Sequence, residues 1–172
     1  HPVAFISGLY PPEDFAKKLF LTGKFYNDAI NAPENNNHGY SVCRDLQLMG
    51  ANLYYTLREE GPEGTVTTRK RGYTTGPANR NVMLDQMEEE IRKIVVELRH
   101  PKLIDQCKTF VRNPKTGKPE ADGSFKDDMV LAFAIGGQVI SENPYKPKRE
   151  QNSAASAEVQ RRKQVKNAGF SF

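Results

Sequence analysis

The sequence has no tryptophan, only two cysteines and only three histidines among its 172 residues. Cys43 and Cys107 each lie among apolar residues, whereas a small secreted domain usually has more cysteines in disulfide-like spacing. We therefore expect reduced thiols in a core and no disulfide framework. The scattered histidines form no zinc-binding pattern with the cysteines.

Long apolar runs are also missing. None approaches the roughly 20 residues that a membrane-spanning helix needs, and no basic segment followed by an apolar stretch marks the N-terminus as a signal peptide. The sequence lacks the glycine-rich Gly-x-x-x-x-Gly-Lys-Ser/Thr motif of P-loop ATPases. No serine has the context of a nucleophile elbow. We therefore expect no membrane partner and no ATP hydrolysis of the P-loop type, and a serine nucleophile lacks support.

Hydrophobic residues make up 37% of the chain and charged residues 27%, a balance typical of a globular domain. The formal net charge is +4. The last thirty residues contain seven lysines and arginines and two glutamates, a net charge of +5, so the rest of the chain is close to neutral. We expect one domain over residues 1–142 and a basic C-terminal tail over 143–172. The tail indicates a polyanionic partner, with a solubilising disordered tail as the alternative.

The first third of the chain alternates between predicted strands and helices. Apolar spacing, proline and glycine signals predict these elements: a strand over Val3–Leu9, a helix from Pro12 to Gly23, a strand over Asp28–Ala32, a helix from about Tyr40 to Gly50, and a strand over Asn52–Leu57. Such alternation with short connections favours an α/β fold with a mainly parallel sheet. Ligands bind beyond the carboxyl ends of strands in such sheets, and Glu34 follows one of these ends.

The rest of the chain is predicted to be mostly helical. Residues 58–78 are rich in glycine and proline and predict a loop or loose hairpin. A long helix begins at Asn79 or Arg80, and a shorter one begins at Pro101. A hairpin turn is predicted around residues 113–117. The final element, Asp127–Ile140, is apolar nearly all round and is expected to be a buried helix.

Three acidic residues could carry chemistry. Asp127 and Asp128 open the last helix, where acids ordinarily complement the helix dipole or cap its end. Glu34 could likewise be a solvated loop acid. If the strand end and the helix start meet at one sheet edge, these carboxylates could hold a pair of hard divalent ions such as Mg²⁺. The ions would stabilise the attacking water and the leaving oxygen of a phosphodiester. His38 is expected to belong to the turn that follows Glu34, or to support the metal-binding carboxylates, and not to bind the metal itself.

A basic segment offers a second candidate site. Arg69, Lys70 and Arg71 could contact phosphates, and Tyr73 could stack on a base or a sugar. The alternative is an ordinary solvated surface loop.

Several motifs, in a fixed order, resemble the C-terminal nuclease domain of the tailed-bacteriophage terminase large subunit. The first is Ala32-Pro-Glu-Asn-Asn-Asn-His-Gly39, which follows Tyr26-Asn-Asp-Ala-Ile30. The second is Arg71-Gly-Tyr-Thr-Thr75, leading into the long helix with Arg80. The third is Phe125-Lys-Asp-Asp-Met-Val-Leu-Ala132, preceded by a hairpin. Together these pieces cover about residues 3–140.

This resemblance implies an RNase H-like fold, a central mixed sheet with helices on both faces. It implies that Glu34 and Asp128 bind Mg²⁺ or Mn²⁺ in a two-metal site, with Asp127 as ligand or support. The implied activity is cutting of concatemeric double-stranded DNA in the bacterial host cytoplasm during virion assembly. The implied partners are a terminase ATPase domain, the portal and the small terminase subunit.

The sequence departs from the family pattern at two points. In the family, the first catalytic aspartate lies on a strand that precedes the strand resembling Val3–Leu9. We therefore expect the domain to lack its first strand and to be weakly active or inactive alone. Lys126 stands where the family often has histidine. Two other functions remain open: a non-catalytic remnant that binds DNA or the motor, and another RNase H-like nuclease such as a resolvase or transposase core.

Overall fold

The computed structural model describes residues 1–60 and 66–144. Nearly all of the predicted basic tail and part of the 58–78 segment lie outside the described residues. Within them the chain is a mixed α/β arrangement of five helices and two small two-stranded sheets. The elements in chain order are α1 (Pro12–Phe25), α2 (Gly39–Leu48), β1 (Tyr55–Glu60), β2 (Val66–Arg71), α3 (Pro77–Arg92), α4 (Pro101–Lys108), β3 (Phe110–Arg112), β4 (Pro119–Ala121) and α5 (Asp128–Glu142).

Helices α1 and α2 pack against each other as the apolar spacing predicts. Ala16 of α1 and Leu46 of α2 are fully buried in their shared cluster, which Leu53 completes. Pro12 occupies the first turn of α1, where its missing N–H costs no hydrogen bond. Gly50 follows the C-cap of α2 with φ +69°, the left-handed conformation that glycine adopts readily. Both predicted helices are confirmed.

A second cluster joins the last three helices. Met83 from α3, Leu103 from α4 and Val130 from α5 are almost completely buried there. Helix α5 was expected to be buried all round, but only one stripe of it is. Ile140 remains 69% exposed because the described elements that pack on α5 do not cover that face. The helix is therefore half-covered.

Two antiparallel hairpins form the regular strands. Strands β1 and β2 form an antiparallel pair in which Tyr55 lies opposite Arg71. The predicted loose hairpin is therefore a regular two-stranded ribbon. Strands β3 and β4 pair across the turn predicted at residues 113–117. The predicted central mixed sheet does not appear among the described residues. Parallel pairing is limited there to isolated bridges such as Asn31 to Leu53 and Glu34 to Tyr73.

The predicted strand over Val3–Leu9 is wrong. No strand is assigned there, and none of the described backbone hydrogen bonds between segments uses residues 1–9. Val3 is 66% exposed and Leu9 is fully exposed. A β-branched, apolar run becomes a strand only beside a neighbour that accepts its N–H groups. No described segment supplies that neighbour.

In the described part of the chain, no helix is both long and apolar enough to cross a membrane.

Gly72 allows three segments to approach one another. It has φ +75°, and a Cβ at this position would lie 2.4 Å from the Pro33 carbonyl oxygen and 2.5 Å from Cys43 Sγ. Its N–H donates to the Tyr54 carbonyl at 2.8 Å. The segment carrying Glu34 can therefore lie against α2 and the end of β2 only because residue 72 has no side chain.

We expect Gly72→Ala to destabilise the chain more than Gly117→Ala. Gly117 has φ +66°, but a Cβ there would meet nothing within 4 Å, so alanine costs about 1–2 kcal/mol from backbone conformation alone. Gly72→Ala adds an overlap with backbone and sulfur that costs about 1–3 kcal/mol more. Urea unfolding of both variants measures the difference. Equal losses would contradict the close approach.

Candidate functional site

A cleft of about 660 Å³ lies between α1, the extended residues 29–36, the start of α2 and the first two turns of α5. Its walls include the apolar side chains of Phe15 and Leu19 on one side and Ile135 on the other. Glu34 and Asp128 both line this cleft. Two carboxylates that are far apart in the sequence therefore border one cavity.

The backbone on both sides of Glu34 is held by parallel pairing with Tyr73. The Tyr73 N–H donates to the Pro33 carbonyl at 2.9 Å, and the Asn35 N–H donates to the Tyr73 carbonyl at 2.9 Å. Glu34 itself is half-buried. Its position is therefore set by hydrogen bonds to a distant part of the chain and not by a free loop.

Gly39 keeps the turn after Glu34 tight. A Cβ on Gly39 would lie only 1.8 Å from the Glu34 carbonyl oxygen. Any side chain at residue 39 would thus displace Glu34 or the first turn of α2. The glycine that ends the polar run was visible in the sequence, but its contact with Glu34 was not.

The asparagine side chains of this turn fix its shape. Asn35 Nδ2 donates to the Arg71 carbonyl at 2.9 Å and to Thr74 Oγ1 at 2.8 Å. Asn36 Nδ2 donates to Glu34 Oε1 at 2.8 Å. The contact between Asn36 and the Glu34 carboxylate was missed in the sequence analysis, because three consecutive asparagines give no sign of which one touches the acid.

The two aspartates that open α5 have different surroundings. Asp128 is exposed and lines the cleft. Asp127 does not line it; its Oδ2 lies 3.5 Å from Arg80 Nη2, and the same guanidinium donates to the Pro119 carbonyl at 3.3 Å. The structure brings Glu34 and Asp128 to one cavity and leaves Asp127 in an ion pair beside it.

The side chains that line the cleft include donor atoms of the kind that a divalent cation prefers, but there are too few of these donors. Glu34 and Asp128 offer carboxylate oxygens, which Mg²⁺ and Mn²⁺ prefer. His38 also lines the cleft and is exposed. Across residues 1–60 and 66–144, however, no group of three or more His, Cys, Asp or Glu side chains could hold a metal ion. The donor set is therefore incomplete in this part of the chain.

The basic segment lies on strand β2. Arg69 and Lys70 are exposed and Arg71 is half-buried. The Arg69 guanidinium carbon lies 3.8 Å from the centre of the Tyr55 ring, a cation–π contact across the ribbon. Alternation along the strand directs Arg69 and Arg71 to one face and Lys70 to the other. The ribbon therefore carries positive charge on both faces.

Tyr73 is not available for the predicted stacking on a base or sugar. Only 5% of it is exposed, and its ring packs 5.9 Å from that of Tyr54. Burial, and then the nearby Glu142 carboxylate, raise the pKa of Tyr73 above its ordinary value. An aromatic residue beside basic ones suggested a surface role, but here it belongs to the core that supports Glu34.

Both cysteines are free, as expected. Burial raises the pKa of the Cys43 thiol to about 11, and burial also raises the pKa of Cys107. A thiol with a raised pKa carries little thiolate at neutral pH, so neither residue is suited to nucleophilic catalysis.

A second cavity, of about 330 Å³, lies between α3, α4 and the β3–β4 hairpin. Phe110 and Val130 line it, and an Arg112–Asp85 ion pair at 3.1 Å borders it. None of the residues predicted to bind metal or nucleic acid contributes to its lining. The larger cleft is therefore the better candidate for a site.

No protein-family model matches the chain, and neither the search of curated proteins nor that of solved structures gave a significant match.

A double-mutant cycle tests the separation of Asp127 from Asp128. Arg80→Ala and Asp127→Ala should show a coupling of about 0.5–1 kcal/mol in the free energy of unfolding, since their partly exposed side chains form an ion pair. The control cycle of Arg80→Ala with Asp128→Ala should show coupling near zero. Coupling to Asp128 in place of Asp127 would contradict the described geometry.

Proposed function

We propose that this chain is a metal-dependent DNA endonuclease domain of the RNase H-like fold, similar to the nuclease domain of a phage terminase large subunit. The observation that carries the proposal is the shared cleft of Glu34 and Asp128. These are the two residues that match the family's later acidic motifs. The sequence alone does not require both residues to line one cleft, because the residues between them could have taken the two acids to opposite faces.

The proposed roles follow from the chemistry of the side chains. A bound pair of Mg²⁺ or Mn²⁺ ions would supply an activated water and stabilise the leaving oxygen of the phosphodiester. Glu34 and Asp128 would bind these ions. Asp127 would keep Arg80 in place and support the start of α5 without binding metal itself.

An open backbone edge in the cleft supports the proposed RNase H-like fold. Asn31, Pro33 and Asn35 use their backbone groups to pair with residues 52–54 and 73. Alternation along an extended segment turns the backbone groups of Ala32 to the opposite side, and no described backbone hydrogen bond uses them. Ala32 lines the cleft. A further strand pairing here could bring the third carboxylate that the family has on its first strand.

Double-stranded DNA is the proposed substrate. Arg69 and Lys70 are exposed cations on strand β2 of the ribbon and would contact phosphates without reading sequence. Arg71 is only half-buried and could assist. The terminase ATPase domain, the portal and the small terminase subunit are the proposed partners, and the bacterial host cytoplasm during virion assembly is the proposed place of action.

The incomplete donor set also favours a second candidate function. Without a third ligand, the domain would bind DNA or the packaging motor and cleave nothing. Cleavage therefore decides between the two functions.

The experiment is nicking of supercoiled plasmid with Mn²⁺ by the longest form of the protein that its gene encodes. We expect Glu34→Ala and Asp128→Ala each to reduce nicking by more than about 100-fold, because each removes a metal ligand. Asp105→Ala is the matched control, since this exposed carboxylate lies outside the cleft and pairs only with Lys108 in the described residues. It should nick at the unsubstituted rate.

Nicking that survives Glu34→Ala or Asp128→Ala would remove the proposed site. DNA binding without any metal-dependent nicking would favour the non-catalytic function.

A further inference from the structure

The extended segment that borders the cleft has an open backbone edge. The backbone groups of Ile30, Ala32 and Glu34 make no described hydrogen bond, because the pairing with residues 52–54 and 73 uses those of the residues between them. All three residues line the cleft, and none of them is buried. Unpaired N–H and C=O groups along an extended segment are a template for a further extended chain.

The walls of the cleft would accept apolar side chains. Phe15 and Leu19 pack on the cluster between α1 and α2, whereas Leu131 and Ile135 belong to the cluster of the last three helices. The cleft therefore separates the two apolar clusters. Its volume of about 660 Å³ lies within the range of ligand-binding clefts, roughly 300–1,000 Å³.

The charge of the cleft is negative and unbalanced. Glu34 and Asp128 both line it, and neither forms an ion pair with a described residue. Lysine and arginine are absent from the described residues that line the cleft. Charge complementarity therefore favours an occupant that carries a positive charge.

We propose that the cleft binds an extended, mostly apolar peptide segment of another protein that carries a lysine or arginine. The segment would pair with the open edge, place apolar side chains between the two clusters, and bring its cation to Glu34 and Asp128. The proposal goes beyond the proposed function and does not rest on it. A divalent cation and a basic side chain would compete for the same carboxylates, so peptide binding needs no metal ion.

The test uses the full chain without metal and the synthetic heptapeptide acetyl-VTVKVTV-amide as probe, followed by NMR and amide hydrogen exchange. We expect saturable binding that slows exchange of the Ile30 and Ala32 amides about tenfold, since each gains a hydrogen bond. The Asn31 amide is the internal control. It already donates to the Asn52 carbonyl at 2.7 Å and should not change.

Two N-methylated probes test the strand pairing without altering the protein. Methylation of one peptide N–H should weaken binding about tenfold, whereas methylation of the next N–H should have little effect. The reason is that successive N–H groups of a strand point to opposite sides, and only one side faces the edge.

The carboxylates are tested by Glu34→Gln and Asp128→Asn. Each should weaken binding of the lysine probe about two- to fivefold, because each removes one charge from a partly exposed pair. Neither should weaken binding of a probe with glutamine in place of lysine. Asp105→Asn is the matched control, since this exposed carboxylate lies outside the cleft.

Equal binding of the lysine probe and of a probe with glutamate in its place overturns the proposal, as do equal effects of the two methylations. An Ala32 amide that is already protected without peptide also overturns it, because the protein itself then fills the edge. Protection that grows with protein concentration would identify a second copy as the occupant. Nicking that depends on Glu34 and Asp128, without any peptide binding, overturns this inference and leaves the proposed function intact.

Discussion

Four backbone hydrogen bonds hold residues 31–35 beside two other segments, and the geometry of the cleft depends on them. Asn31 exchanges hydrogen bonds with residues 52 and 54, while Pro33 and Asn35 exchange them with Tyr73. This short parallel pairing places Glu34 at the cleft. Helix α5 begins at the other side of the same cleft. Gly39 and Gly72 permit it, because a Cβ at either position would overlap the backbone of residues 33 and 34. Without this pairing, Glu34 would be an ordinary loop acid.

The sequence was sufficient for the elements whose signals are local. Apolar spacing and end signals predicted α1 and α2, and the turn at residues 113–117 predicted the β3–β4 hairpin. In each of these cases a single stretch of chain contains the whole physical reason. Local signals also singled out Glu34, after a predicted strand of which only an isolated bridge at Asn31 is described, and Asp128. Their role in metal binding stays a prediction.

Features that depend on distant partners could not be predicted from a single stretch. Val3–Leu9 has the composition of a strand, but no described neighbour accepts its hydrogen bonds. Tyr73 follows three basic residues, yet its ring is buried because the pairing with Glu34 brings it against Tyr54. Asp127 and Asp128 are adjacent and identical in type, and only the position of Arg80 distinguishes them. The role of Arg80 arises in the same way, from contacts with Asp127 and Pro119, which are remote in the sequence.

The most direct test of the central claim, that Glu34 and Asp128 share one divalent cation site, is a crystal structure of the protein grown with Mn²⁺ and measured for anomalous scattering. The account predicts an anomalous peak in the cleft, with a Glu34 and an Asp128 oxygen each about 2.0–2.6 Å from it or from a second ion beside it. Manganese bound only elsewhere, with the two carboxylates pointing away from each other, would contradict it.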